Sequence, residues 1–122
     1  MSPPSGTPPA PPQVRKVPRP EWSPVPFPGT RGVDGKVLLS RPELTVAMLR
    51  FGPDATIHEH DAEHLIEVVC LEGRGFTSID GVNARIEAGE SVVWPPRHQH
   101  RLWTEGSPML TLMIEHNGPR RL

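Results

Sequence analysis

From Gly35 onward the chain is a succession of short apolar runs, each closed by turn residues. GKVLLS, ELTVAMLRF, ATIHEH, HLIEVVCLEG, GFTSID, NARIEA, ESVVWP, HRLW and PMLTLMIEH are rich in Val, Ile, Leu and Thr. Between them stand Arg41-Pro42, Gly52-Pro53-Asp54, Gly73-Arg74-Gly75, Asp80-Gly81, Ala88-Gly89-Glu90 and Gly106-Ser107-Pro108. Runs of this length with such punctuation read as β-strands and turns. Asp80-Gly81 is the strongest hairpin signal, because a two-residue type I′ turn needs positive φ at both central positions. No stretch keeps a 3.6-residue apolar period with caps, so almost no helix is expected. Eight or nine short strands at regular spacing predict an all-β fold, an antiparallel barrel or double-sheet jelly roll.

The N-terminal part has a different pattern. Eleven of the 17 prolines lie at or before Pro28, whereas all six histidines fall between His58 and His116. Residues 1–20 alternate proline with small and polar residues, a composition that favours extended, disordered chain with little to bury. Residues 21–34 differ, since Trp22, Val25 and Phe27 are large and apolar. They read as an extended segment that docks on the domain or on a partner subunit, with Trp22 as anchor. Residues 35–118 then form the β-barrel domain.

Composition narrows the function classes. At 122 residues there is one core. Thirteen basic against 14 acidic residues provide no footprint for nucleic acid. No apolar run approaches the roughly 18 residues of a membrane span, and no signal peptide is readable at the N-terminus. A single cysteine forbids an internal disulfide. A cytoplasmic protein is therefore expected. There is no GxSxG elbow, phosphate loop or CxxC pair.

The chemistry is concentrated in histidines. In Gly52-Pro-Asp-Ala-Thr-Ile-His58-Glu-His60-Asp-Ala-Glu-His64, strand alternation sends His58 and His60 to one face. A turn at Asp61-Ala62 would return His64 to the same space. His100, in Gly89-Glu-Ser-Val-Val-Trp-Pro95-Pro-Arg-His-Gln-His100, lies 40 positions from His60 and can join only through the fold. Paired imidazoles suit a borderline transition metal.

These two segments resemble the motifs of the cupin family, small single-domain members in particular, over about Gly35 to His116. The first motif runs from a glycine through five residues to His-x-His and on to a glutamate. Gly52, His58 and His60 match it, and His64 stands where glutamate is usual. The second runs from a glycine through Pro-x-Gly to a histidine and an asparagine. Gly89, Pro95 and His100 match it, with Arg97 in place of glycine and Thr104 in place of asparagine. The resemblance implies a cupin-type jelly-roll β-barrel around one divalent transition metal ion (Fe, Mn or Zn). It implies His58, His60 and His100 as ligands. The remaining ligand is open. His64 is at the family spacing, but counting back from Gly73 puts Ile66 at the glutamate position, and a small insertion would bring Glu67 or Glu63 inward. Four imidazoles would leave the ion's full charge for the substrate.

His98 and Glu67 are the candidates for moving a proton, and Arg97 is a candidate for pairing with a carboxylate at the mouth. Cys70, in VVCLEG, reads as a small core residue. His116 reads as an edge histidine, and Glu115 as outward if Ile114 packs inside. The resemblance implies a metal-dependent enzyme, a dioxygenase or a redox-neutral lyase, isomerase or cyclase, acting on a small organic molecule. A homodimer is the expected assembly. The rival reading is a non-catalytic metal- or small-ligand-binding sensor module, with a storage or stress protein as a third.

Overall fold

The computed structural model describes residue 6 and residues 8–117. Eight strands carry the fold: β1 (Arg19–Pro24), β2 (Thr30–Ser40), β3 (Leu44–His60), β4 (Ile66–Ile79), β5 (Val82–Glu87), β6 (Ser91–Trp94), β7 (His100–Trp103) and β8 (Met109–His116). No helix occurs among the described residues. All pairings are antiparallel, and the architecture is the jelly-roll β-barrel expected from the sequence.

Two long strands organise it. Leu44–Phe51 of β3 pairs with β8, whereas Thr56–His60 pairs with β7. The first half of β4 pairs with β8 and β6, and its second half with β7 and β5. Each long strand therefore passes from one sheet to the other. The core lies between the two sheets, where Leu49, Phe51, Ile57, Val68, Trp94 and Leu102 are buried.

The runs ELTVAMLRF and ATIHEH, expected as separate strands, are one strand with an irregularity at Gly52–Ala55. Opposite β2 the register jumps there, from Val33↔Phe51 to Arg31↔Thr56. Thr104 holds the irregularity: its buried hydroxyl donates to the Gly52 carbonyl at 2.6 Å and accepts from the Ala55 N–H at 2.9 Å. The Thr104 N–H in turn donates to the Ala55 carbonyl at 2.9 Å. Thr104→Val keeps the shape but leaves a backbone donor and acceptor unpaired. It is expected to cost about 2–4 kcal/mol, read as a lower midpoint in urea, with Thr104→Ser recovering most of the loss.

Gly73-Arg74-Gly75, expected as a turn, is instead the corner where β4 changes sheet. The Asp80-Gly81 turn is present, with φ of 49° and 81°. β1 adds to the edge of β2. Trp22 lies under two cations, Lys36 Nζ at 4.6 Å and Arg50 Cζ at 4.4 Å from its ring centre. Arg50 is itself paired with Asp34 at 3.1 Å. Trp22 thus joins the segment before the barrel to the outer face of β2 and β3.

Candidate functional site

β3 and β7 bring one pair of histidines together. His60 stands opposite His100 across the two strands. Their Nε2 atoms are 3.2 Å apart, and their rings meet edge to face with centroids 4.4 Å apart. His100 is 1% exposed, at the centre of the barrel. Its ring stacks on Trp94 at 4.0 Å with the planes 10° apart. Trp94 is fixed in turn, its Nε1–H donating to Thr77 Oγ1 at 2.9 Å, and Thr77 donating to the Arg101 carbonyl at 3.0 Å. His100 therefore has a rigid back wall.

The hydrogen bonds set the tautomer of His60. Its Nδ1 lies 2.9 Å from the His58 carbonyl, which can only accept, so Nδ1 carries the proton and Nε2 the lone pair. If His100 Nε2 donates to that lone pair, His100 Nδ1 becomes a bare acceptor, and it is buried without a well-aligned partner. The other tautomer points both Nε2 lone pairs at one place. Two imidazoles bound to one ion at about 2.0–2.1 Å have nitrogens about 2.8–3.4 Å apart, from octahedral to tetrahedral angles. The observed separation fits that span, so these two residues suit a shared divalent cation.

Burial pushes the pKa of His100 down to about 4, and the neighbouring His60 adds to the effect; the nearby His98 carbonyl and the Asp61 carboxylate oppose it by less. His100 is thus neutral and ligand-ready at physiological pH. The folded-state value lies below the ordinary value of about 6.5. Between those two values the unfolded chain binds a proton that the folded barrel refuses. His100's contribution is complete above about pH 6.5 and declines as the pH falls toward 4, by about 3 kcal/mol at most. Urea midpoints of the metal-free protein should fall between pH 7 and pH 4.5, and His100→Gln should flatten that dependence. Equal slopes in the two proteins would refute the assignment. Hydrogen bonds from His98 and the Gln99 N–H hold Asp80 below its ordinary 3.8, so its contribution is lost only at lower pH.

The other expected site residues lie elsewhere. From Ile57 to His60, β3 takes three steps against two on β7, from Leu102 to His100. This bulge turns His60 inward and leaves His58 exposed beside Gly29. The expected sharing of one face by His58 and His60 is thereby corrected. His64 is half-buried and Glu63 exposed in the connection between β3 and β4. Glu67 is flanked by the inward-facing Ile66 and Val68, so it lies on the opposite face, where it pairs with His116 at 3.0 Å. His98 is exposed and paired with Asp80 at 2.5 Å. Met113, not Ile114, packs on the core, which places Glu115 on the inner-facing side of β8. Cys70 is buried, as expected of a core residue, and burial raises its thiol pKa. Among the described residues no three His, Cys, Asp or Glu side chains gather around a metal position.

Arg97 takes φ of 63°, the left-handed conformation for which the cupin motif has glycine. Its N–H donates to the Ala62 carbonyl at 2.7 Å, tying the turn before His100 to the connection that carries His64. Two residues near the histidine pair were not identified as site residues from the sequence. Asp61 is the carboxylate whose charge is felt at His100, and Phe27 lies over His60 with ring centres 4.5 Å apart.

Comparison with known proteins agrees with this fold. Residues 47–115 match the family model described as "Cupin domain". No curated protein matches the chain. Among solved structures, the polyketide cyclase RemF from Streptomyces resistomycificus is similar with TM-score 0.76 and 17% identity, over 89% of this chain and 81% of that one. An RmlC-like cupin from Shewanella frigidimarina gives 0.67 and 20%, over 81% and 96% of the two chains. A structure of the DMSP lyases RdDddP and RnDddQII gives 0.64 and 19%, over 69% and 47%.

Proposed function

The chain belongs to the cupin family, and on that footing we propose that it is a metal-dependent enzyme acting on a small organic molecule at the His60–His100 pair. The observation that carries this reading is the convergence of two Nε2 atoms, 3.2 Å apart, on a fully buried histidine. Such a pair is poor packing for a core that serves stability alone, because it leaves His100 Nδ1 without a well-aligned partner.

In the proposed site His60 and His100 hold one divalent ion, Fe, Mn or Zn. His64, half-buried in the connection between β3 and β4, is the candidate for a third ligand. When bound, the ion supplies Lewis acidity toward a substrate oxygen. The chain's own residues do the rest. The His58 carbonyl orients His60, and the Trp94 face orients His100 and keeps water from its inner side. Asp61, whose carboxylate charge reaches His100, is our candidate for exchanging a proton with the substrate, while His98 and Glu67 are engaged in ion pairs with Asp80 and His116.

Redox-neutral chemistry, a lyase, isomerase or cyclase step, is favoured over oxygen activation. Similar barrels that carry the names polyketide cyclase and DMSP lyase support this choice. We also propose that the protein is a cytoplasmic homodimer. The second reading is a non-catalytic binding module, since no third ligand gathers with the pair among the described residues.

Elemental analysis of protein purified without added metal tests the proposal. About one equivalent of zinc or manganese per chain, with no oxygen consumption, is the expected result. Iron with oxygen consumption would move the chemistry to a dioxygenase. No metal, and none taken up on titration of the folded protein, would leave the binding module.

A further inference from the structure

Four rings form a column from solvent to core. Phe27, His60, His100 and Trp94 follow one another with centroids 4.5, 4.4 and 4.0 Å apart. The inner end is sealed, Trp94 being 1% exposed, and the outer end is open, Phe27 being 51% exposed. Among the described residues Phe27 is the one exposed Phe or Trp; Trp22 and Phe76 are half-buried and the others buried. A half-exposed phenyl adds little burial to the fold.

The turn that carries the ring is also held firmly. Pro26 and Pro28 flank Phe27 and fix the backbone torsions on either side. The Thr30 N–H donates to the Phe27 carbonyl at 3.1 Å, and the His58 N–H to the Gly29 carbonyl at 3.2 Å. Gly29, at φ of 79°, comes so near β3 that a Cβ there would lie 2.8 Å from that of His58. The turn is thus locked to the strand that carries His60. A preorganised aromatic face, open to solvent beside the outer imidazole of the site, is a stacking platform.

We infer that Phe27 is a substrate-binding residue and that the substrate is a planar, π-rich molecule, an aromatic or an extended conjugated carbonyl compound, stacked on the phenyl with a polar edge toward His60. The inference rests on the reading of the His60–His100 pair as the reactive site. It gives the N-terminal segment a part in specificity, since the residue that selects the substrate comes from outside the span matched by the family model.

Calorimetric titration of the full chain with 2-naphthol and with its saturated, non-planar counterpart 2-decalol tests it. 2-Naphthol should bind the more tightly. Phe27→Leu, which keeps apolar bulk on the surface, should weaken 2-naphthol about two- to twelve-fold and leave 2-decalol nearly unchanged, while Phe27→Trp retains the preference. Equal affinity for the two alcohols, unaltered 2-naphthol binding in Phe27→Leu, or no binding of 2-naphthol would each overturn the inference. The metal content of the same preparations reports on the proposed function separately. Metal present without a planar preference removes only the role of Phe27, whereas a metal-free protein that takes up none removes the enzyme reading itself.

Discussion

A His60→Ala/His100→Ala protein should purify without bound transition metal and turn over its substrate at least about a thousand-fold more slowly than the parent. The size follows from the several kcal/mol of charge stabilisation that a metal contributes to a reacting oxygen, at about 1.4 kcal/mol per factor of ten. The two side chains present converging Nε2 atoms in the barrel, so removing both removes the whole observed ligand pair. Truncating His100 also exposes one face of Trp94 to a cavity, costing about 2–4 kcal/mol of stability. A His60→Gln/His100→Gln variant, which keeps most of the volume, separates metal loss from that cavity. His98→Ala is the control, because its exposed ring pairs with Asp80 outside the barrel and its loss should leave the metal in place. Retention of one equivalent of metal by the double variant would place the site elsewhere.

The largest effect on folding is expected at Gly73. Its φ is 77°, and a Cβ would lie 2.1 Å from the Pro108 carbonyl oxygen and 3.1 Å from Met109 Cα. Both obstacles are backbone, which cannot rotate aside as a flexible side chain can. Alanine there combines the left-handed penalty of about 1–2 kcal/mol with an overpacking cost of about 1–3 kcal/mol. Gly73→Ala should therefore destabilise the barrel by about 2–5 kcal/mol and lower the melting temperature by about 10 °C or more. The companion change Gly81→Ala also has a positive φ, 81°, but nothing lies within 4 Å of its Cβ. It should cost only the conformational part. Similar melting temperatures for the two variants would show that the corner of β4 tolerates rearrangement.

Gly73 and Gly81 also separate what was legible in the sequence from what was not. Asp80-Gly81 specifies a hairpin through its own torsions, a local property, and β4 and β5 meet there as expected. Gly73-Arg74-Gly75 has the same composition of turn residues, yet β4 runs through it. The glycines serve a close approach of Pro108, Trp103 and Met109, which no local pattern encodes. Gly52-Pro53-Asp54 follows the same logic, the strand being held across its irregularity by Thr104, about 50 residues away.

The site divides in the same way. His60 and His100 were legible because their spacing belongs to two recognisable motifs. His58 was misplaced because reading faces by a period of two assumes an unbulged strand. The bulge is visible only in the register of β3 against β7. Glu67 could have been assigned outward from its own neighbours, since the apolar Ile66 and Val68 claim the core side of β4. Phe27 stood out only as part of an apolar segment. Its place over His60 follows from the pairing of Thr30 and Arg31 with the end of β3.

Nitrogen-15 NMR of the imidazole rings, during titration of the metal-free protein with zinc, decides whether His60 and His100 share one ion. The Nε2 resonances of His60 and His100 should move together and saturate at one equivalent, with the His98 ring unchanged. Zinc that shifts His98, His116 or His58 while leaving the His60 and His100 Nε2 resonances in place would contradict that sharing.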